Sequence, residues 1–318
     1  MKLKILSCLI SISLVLGLVA CSGPQGEEGS LEVSGAAIDV HTHLMSQALT
    51  DGLTGGGVPA SAADDLIAHL DEANVQKAIV ISLGNWGLPD DSNMAPENDF
   101  VAAEIAKYPD RLIGFLGINP LYESAISEID RGLDLPGMVG IKLQLPSSGV
   151  DLENEEHVAA VSQVLDKARE RDVPVMMHVS GPPLDSQAVM NVFGLLGSHP
   201  DVRLAIAHCG GDLDWELEAY LVGTQTSPQL IDIENFYLDL SAHLDLYKDA
   251  PLSKRELIVW RLRKWGLERV LFGSDYLQIA PVETPKEALE TLSKYPFTQE
   301  EIDLITGNNN ALTWLEGR

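Results

Sequence analysis

The 318-residue sequence carries 21 lysines and arginines against 47 aspartates and glutamates, a formal net charge of −26, with 45% hydrophobic residues. So acidic a chain repels nucleic acid and anionic lipid headgroups, and no basic cluster overcomes that repulsion, which excludes a nucleic-acid partner. Its 3 cysteines are Cys8, Cys21 and Cys209. The first two fall in an N-terminal export segment, so Cys209 stands alone and an internal disulfide is excluded.

That segment comes first in chain order. Lys2 and Lys4 precede an apolar run from Ile5 to Ala20. At ~16 residues the run is short for a membrane span, and it has the charged and apolar parts of an export signal. It ends in Leu18-Val19-Ala20-Cys21, which resembles the lipobox of bacterial lipoproteins. Residues 1–20 then read as a lipoprotein signal peptide, with Cys21 lipidated; the alternative is an ordinary secretory signal with a chance cysteine. Ser22 after the cysteine goes, in a Gram-negative host, with outer-membrane delivery. The expected location is therefore the cell envelope, periplasmic side, with the lipid as the only membrane contact. Removing Lys2 and Lys4 leaves 19 basic and 47 acidic residues, a net of −28. Residues 21–35 are rich in Gly, Ser and Glu and read as a flexible tether.

From residue 36 to 318, short apolar runs alternate with amphipathic ones. The short runs are Ile38–His43, Lys77–Leu83, Leu112–Ile118, Gly140–Leu145, Val173–Val179, Arg203–His208, Tyr237–Ser241 and Arg269–Ser274. Each is rich in Val, Ile and Leu, as strands buried on both faces are. Helical patterns lie between them, among them Ser61–Ala73, Glu155–Arg171 and Lys254–Trp265. Eight such units in one chain predict a single α/β domain, a (β/α)₈ TIM barrel, with its site at the C-terminal ends of the strands. Two segments beyond those ends stand out. Thr50–Ala60 is Gly-rich and reads as a mobile lid or a solvated turn; Gly84–Asn98 holds Trp86, a candidate pocket wall.

His41 and His43 are two apart on a strand and so project to one face. His178 ends the fifth run, His208 the sixth and Asp275 the eighth, all aimed at the barrel mouth. Imidazole and carboxylate suit zinc, and a catalytic zinc keeps one position open. His41, His43, His178 and Asp275 would supply four ligands, with a fifth position for water or substrate. Manganese and cobalt accept the same donors. A core histidine that is merely hydrogen-bonded explains any one of these residues, but not five of them at the mouth of one barrel.

Taken together, Ile38-Asp39-Val40-His41-Thr42-His43, Gly140-Ile141-Lys142-Leu143, Met177-His178, Ala207-His208-Cys209-Gly210-Gly211, Leu271-Phe272-Gly273-Ser274-Asp275 and Gly307-Asn308-Asn309-Asn310-Ala311-Leu312 carry a family likeness. In this order and spacing the chain resembles the amidohydrolase superfamily, and its amidohydrolase-related branch that includes aminocarboxymuconate-semialdehyde decarboxylase, over residues 38 to about 315. The resemblance implies metal ligation by His41, His43, His178 and Asp275. It implies a catalytic His208 acting on water or substrate, which becomes a ligand if a second metal binds. Asp275 would also shuttle protons. Lys142 has three readings: a cation for a substrate carboxylate, a carboxylated bridge between two metals, or a counter-charge to the acidic mouth. After Asp275 the sequence departs from the family pattern, because Tyr276-Leu277-Gln278-Ile279-Ala280-Pro281 delays the expected proline.

Of the other histidines, His243 follows the seventh run and is a candidate substrate contact, and Trp215 is a second candidate wall. His69 and His157 read as surface residues, His199 as part of the opposite end of the barrel, and Cys209 as packing. The function expected is hydrolysis of a C–N, ester or lactone bond in a small molecule by metal-activated water. The alternative is metal-dependent, non-oxidative decarboxylation of a small unsaturated or aromatic acid. A non-catalytic lipoprotein binding a ligand through the metal is a third reading, opposed by the complete residue set. Assembly is left open, with a homodimer one option.

Overall fold

In the computed structural model, residues 37–86, 91–179, 187–210, 234–278, 280 and 282–317 are described. The export signal, the tether with Cys21, and Trp215 lie outside them. The apolar runs become eight strands: β1 Ile38–His43, β2 Lys77–Ile81, β3 Leu112–Ile118, β4 Met138–Gln144, β5 Val175–His178, β6 Leu204–Ile206, β7 Phe236–Asp239 and β8 Val270–Leu271. Each pairs in parallel with the next, in the order β1 to β8. The segment just after β8 meets the first strand through three backbone bonds. The Val40 N–H donates to Phe272 O at 2.9 Å, the Asp275 N–H to His41 O at 2.8 Å and the His43 N–H to Tyr276 O at 2.8 Å. The (β/α)₈ barrel read from the sequence is the fold observed.

Ten helices accompany the strands among the described residues: α1 Gln47–Thr54, α2 Ala63–Glu72, α3 Met94–Ile105, α4 Ala125–Gly132, α5 Glu155–Arg171, α6 Gln187–Ser198, α7 Leu252–Trp265, α8 Pro285–Ser293, α9 Gln299–Thr306 and α10 Asn308–Glu316. Helix α5 shows why they form where they do. Asn154 caps it, accepting the N–H of Glu156 and His157, and Glu155 and Glu156 meet the positive end of the helix dipole. Arg169 and Arg171 meet the negative end, and Asp172 ends the helix in the left-handed region at φ 51°. Its inner stripe, Val161, Val164, Leu165 and Ala168, is fully buried against the strands.

Two apolar layers result. One lies between the strands and the helices; the other fills the barrel with Ile38, Val40, Ile79, Ile81, Phe115 and Met176 among others. The far end of the barrel is plugged by α10. There Trp314 is fully buried with its ring 5.3 Å from Phe115, and Asn310 Nδ2 donates to the Leu267 and Val270 carbonyls at 2.8 and 2.9 Å. The Asn-rich motif before Ala311 is thus a structural plug at the opposite end from the site.

Six strands have ends that differ from the sequence reading, three of them, β6, β7 and β8, next to the site. β6 stops at Ile206, because His208 and Cys209 both take left-handed backbone at φ 53° in a tight turn. β8 stops at Leu271, and Asp275 lies four residues on, itself at φ 64°. β7 begins at Phe236 and stops at Asp239, whose carboxylate takes the Ser241 N–H at 2.9 Å as the chain turns through Ala242 at φ 54°. Continuous apolar sequence signals burial; it does not say where the ladder ends. The expected lid also differs. Its first half is α1, and Gln47 ties the return: its amide donates to Val58 O and accepts the Ala60 N–H, at 2.8 and 3.0 Å.

Candidate metal centre

The mouth of the barrel holds a cavity of about 220 Å³. His41, His43, Lys142, His178, His208 and Asp275 line it, as does Gln144 beside Lys142. Five elements therefore bring together the residues the sequence singled out. β1 carries His41 and His43 on one face, past an extra residue that the pairing register shows between Asp39 and Thr42. β5 ends on His178, and the turns after β6 and β8 supply His208 and Asp275. Left-handed backbone at non-glycine residues costs on the order of 1–3 kcal/mol, and here it re-aims both side chains into the cavity.

The donor atoms converge on one carboxylate. Asp275 Oδ1 lies 3.2 Å from His41 Nε2 and 3.2 Å from His43 Nε2. Donor atoms of His41, His208 and Asp275 all lie within 4.8 Å of one another, a spacing suited to a divalent cation. The His208 ring stacks on His41 at 5.0 Å and meets His178 edge-on at 4.7 Å.

Three imidazoles are turned so that Nδ1 faces the protein and Nε2 the cavity. His41 Nδ1 meets Asp239 Oδ2 at 2.6 Å, His43 Nδ1 meets the Ile81 carbonyl at 3.1 Å, and His208 Nδ1 meets the Ser241 carbonyl at 2.8 Å. A carbonyl can only accept, so each of these Nδ1 atoms carries the proton and leaves the Nε2 lone pair available; at His41 the carboxylate plays the same part. Burial keeps two of the rings neutral, the form a metal needs. It pushes His41 well below the usual histidine range and His178 down to about 2, and neighbouring positive charge adds to both shifts. Burial alone would push the Asp275 carboxyl up, but the histidines around it outweigh that and hold it far below the usual carboxylate range.

Lys142 reaches the centre of this group, with Nζ 3.0 Å from His41 Nε2. Burial pulls its ammonium down to about 8, against the charges of Asp275 and Asp239. Trp86 forms part of the cavity's apolar wall with Leu83, Leu277, Ala280 and Val282. Three of those five come from the segment after Asp275 that departs from the family pattern, so that departure shapes the pocket. His243 is placed elsewhere: it is buried with its ring 5.8 Å from Tyr247 and does not line the cavity. The expected substrate contact is lost because the chain turns back at Ala242.

His69 is half-buried against the Tyr276 ring, and His157 accepts the Asp151 N–H at its helix start. His199 is buried on the Leu195 carbonyl ahead of β6, and Cys209 packs in the outer core. Sequence reasoning missed the support around the ligands. Asp239 and Ser241 brace His41 and each other, with Ser241 Oγ 2.6 Å from Asp239 Oδ2 and 2.9 Å from His41 Nδ1. Asp39 holds the Ser274 hydroxyl at 2.6 Å and the His41 N–H at 3.1 Å, and burial pushes its carboxyl up to about 7. The signal was available: Asp39 and Asp239 are each the one carboxylate of a fully buried strand.

Solved structures with the same fold are enzymes of two kinds. A probable 2-pyrone-4,6-dicarboxylic acid hydrolase from Acinetobacter baumannii, with citric acid bound, aligns with a TM-score of 0.60 at 19% identity, covering 88% of this chain and 98% of that one. A 5-carboxyvanillate decarboxylase from Novosphingobium aromaticivorans, with manganese and 3-methoxy-4-hydroxy-5-nitrobenzoic acid, aligns at 0.63 and 19%, covering 89% and 99%. A 2,6-dihydroxybenzoate decarboxylase from Rhizobium aligns at 0.61 and 17%, covering 88% and 98%. At such identities the likeness is one of fold. A short stretch is 47% identical over 62 residues to the 3-isopropylmalate dehydratase small subunit of Limosilactobacillus fermentum. It spans 16% of this chain and 32% of that relative, too little of either to bear on the barrel. The family model described as amidohydrolase, by contrast, matches residues 38–312, from the first residue of β1 into α10, and the chain belongs to the amidohydrolase family.

Proposed function

We propose that this enzyme binds one divalent metal, zinc by preference, and hydrolyses a C–N, ester or lactone bond in a small molecule. The observation that carries the reading is the shared orientation of His41 and His43, each tied at Nδ1 and presenting Nε2 3.2 Å from Asp275 Oδ1. That donor set fits a divalent cation, because the ligand atoms are unprotonated and a carboxylate supplies the opposing charge. His41, His43, His178 and Asp275 would hold it. When bound, such a cation lowers the pKa of water toward ~7 and polarises a substrate oxygen.

The chain's own residues do the rest. His208, protonated at Nδ1 by its bond to the Ser241 carbonyl, offers Nε2 as the base that takes a proton from water in the cavity. Asp275, a carboxylate at rest, takes that proton on from His208 and passes it to the leaving group, and its 21% exposed side chain leaves it open to the cavity. Lys142 holds its amine beside the same centre and neutralises developing negative charge. Leu83, Trp86 and Leu277 keep the opposite wall dry. The grouping of His208 with His41 and Asp275 supports a second ligand set in which His208 takes the place of His178.

Metal content, followed by turnover of a panel of amides, esters, lactones and carboxylic acids, tests the reading. About one equivalent of metal with hydrolysis in the panel is expected; release of CO₂ from an acid without any hydrolysis moves the enzyme to the decarboxylase alternative. The lipobox likeness of Leu18 to Cys21 supports anchoring of the mature enzyme in the cell envelope through Cys21, on the periplasmic side of the outer membrane in a Gram-negative host. Incorporation of labelled palmitate that is lost in Cys21→Ser checks the anchor. An oligomer, a homodimer included, is checked by light scattering.

A further inference from the structure

Of the polar side chains on the cavity wall that the hydrolytic roles leave unused, Asn85 stands apart from Gln144, which accepts the Ser147 N–H. Asn85 lines the cavity and is 2% exposed, and neither its Oδ1 nor its Nδ2 has a hydrogen-bond partner. A buried amide without partners is costly to the fold. On a cavity wall it marks a place where a ligand completes the pairs. Trp86 and Leu83 flank it with apolar surface, and Leu277 and Val282 extend that surface.

Charge limits what can dock there. Among the described residues Lys142 is the only lysine or arginine lining the cavity. Residues 87–90, 180–186 and 211–233, which follow β2, β5 and β6 in the chain, contain no lysine or arginine. Lys248, beyond β7, is taken up by Asp245 and Glu283. A divalent metal and Lys142 together bring three positive charges, of which Asp275 and a hydroxide from water cancel two, so one negative charge on a ligand is matched and a second is not.

We propose that Asn85 is a substrate-binding residue, and that the site accepts a small molecule with an apolar body, a carboxamide-like donor–acceptor pair and at most one negative charge. Asn85 takes that pair, one hydrogen bond in each direction, while the body packs on Trp86 and Leu277. For the reaction this rests on the hydrolase reading; for binding it does not.

Calorimetry on the metal-loaded full chain with benzamide, benzoate and isophthalate separates the two. These probes share a ring and carry none, one and two negative charges. Benzamide and benzoate are expected to bind at least tenfold more tightly than isophthalate, because like charges brought together without a counter-ion are strongly disfavoured. Asn85→Leu is expected to weaken benzamide about tenfold, the scale of losing a hydrogen-bonded pair. Its Tm should stay level or rise, since the substitution removes an unpaired buried amide; a merely structural Asn85 would lower it. Asn85→Ser, smaller and still polar, replaces the leucine variant if that does not fold, with the same loss expected. Isophthalate binding as tightly as benzoate overturns the charge limit, unchanged benzamide affinity in the Asn85 variants overturns the docking role, and no binding by any probe overturns both. Failure to hydrolyse any amide, ester or lactone would sink the reaction while leaving these binding results intact.

Discussion

Asp239→Asn is the sharpest probe of the centre, because it changes one charge and almost no volume. Asp239 is fully buried, takes the His41 Nδ1–H at 2.6 Å and the Ser241 hydroxyl at 2.6 Å, and does not line the barrel-mouth cavity. With a carboxylate there, His41 keeps its proton on Nδ1 and its lone pair on Nε2. An asparagine can turn its amide toward Nδ1 and donate, which moves the ring proton to Nε2, the atom aimed at Asp275 and Lys142. Even without that flip, a neutral acceptor makes the imidazole a poorer ligand. Loss of such a supporting partner costs roughly 10–100-fold in metal affinity, about 1.4–2.8 kcal/mol. The assay is metal affinity by competition with a chelator, with Tm measured on the metal-free protein. A folded Asp239→Asn chain that binds metal as tightly as wild type would refute the argument that His41 ligates through Nε2.

The remaining predictions concern the same scaffold. His41→Ala should lose the metal, and a folded variant retaining full stoichiometry would sink the proposed centre. His178→Ala and His208→Ala decide the fourth ligand: the variant that loses metal names the ligand, and the one that keeps metal but loses kcat names the base. Lys142→Ala should leave about one equivalent of metal bound; two equivalents in wild type, falling on substitution, would show a lysine-bridged pair. Gly273→Ala should cost about 1–3 kcal/mol by overpacking, since its Cβ would lie 2.7 Å from Asp239 Oδ1 and 2.8 Å from His41 Cβ, and metal affinity should fall with Tm. Trp314→Ala, at the far end of the barrel, should lower stability by about 3–5 kcal/mol in denaturant melts while leaving metal affinity unchanged.

Much of this protein was legible from one dimension. Strand identity followed from eight apolar runs, because a strand buried on both faces must be continuously apolar. The pair His41 and His43 declared a shared face through the two-residue period of a strand. What one dimension could not carry was the ending of each ladder and the partner of each polar group. His208 and Asp275 read as strand ends, yet both sit in left-handed turns held by distant chain, His208 by the Ser241 carbonyl and Asp275 by the His41 carbonyl. His243 looked like a ligand-facing neighbour until the turn at Ala242 carried it away. Asp239 reaches His41 across 198 positions of chain, and Asn85 is left without a partner by the surroundings the barrel gives it. Local periodicity decides what is buried and which face it takes; only closure of the barrel decides which buried polar groups meet, and that meeting sets the tautomer of His41 and so the chemistry of the mouth.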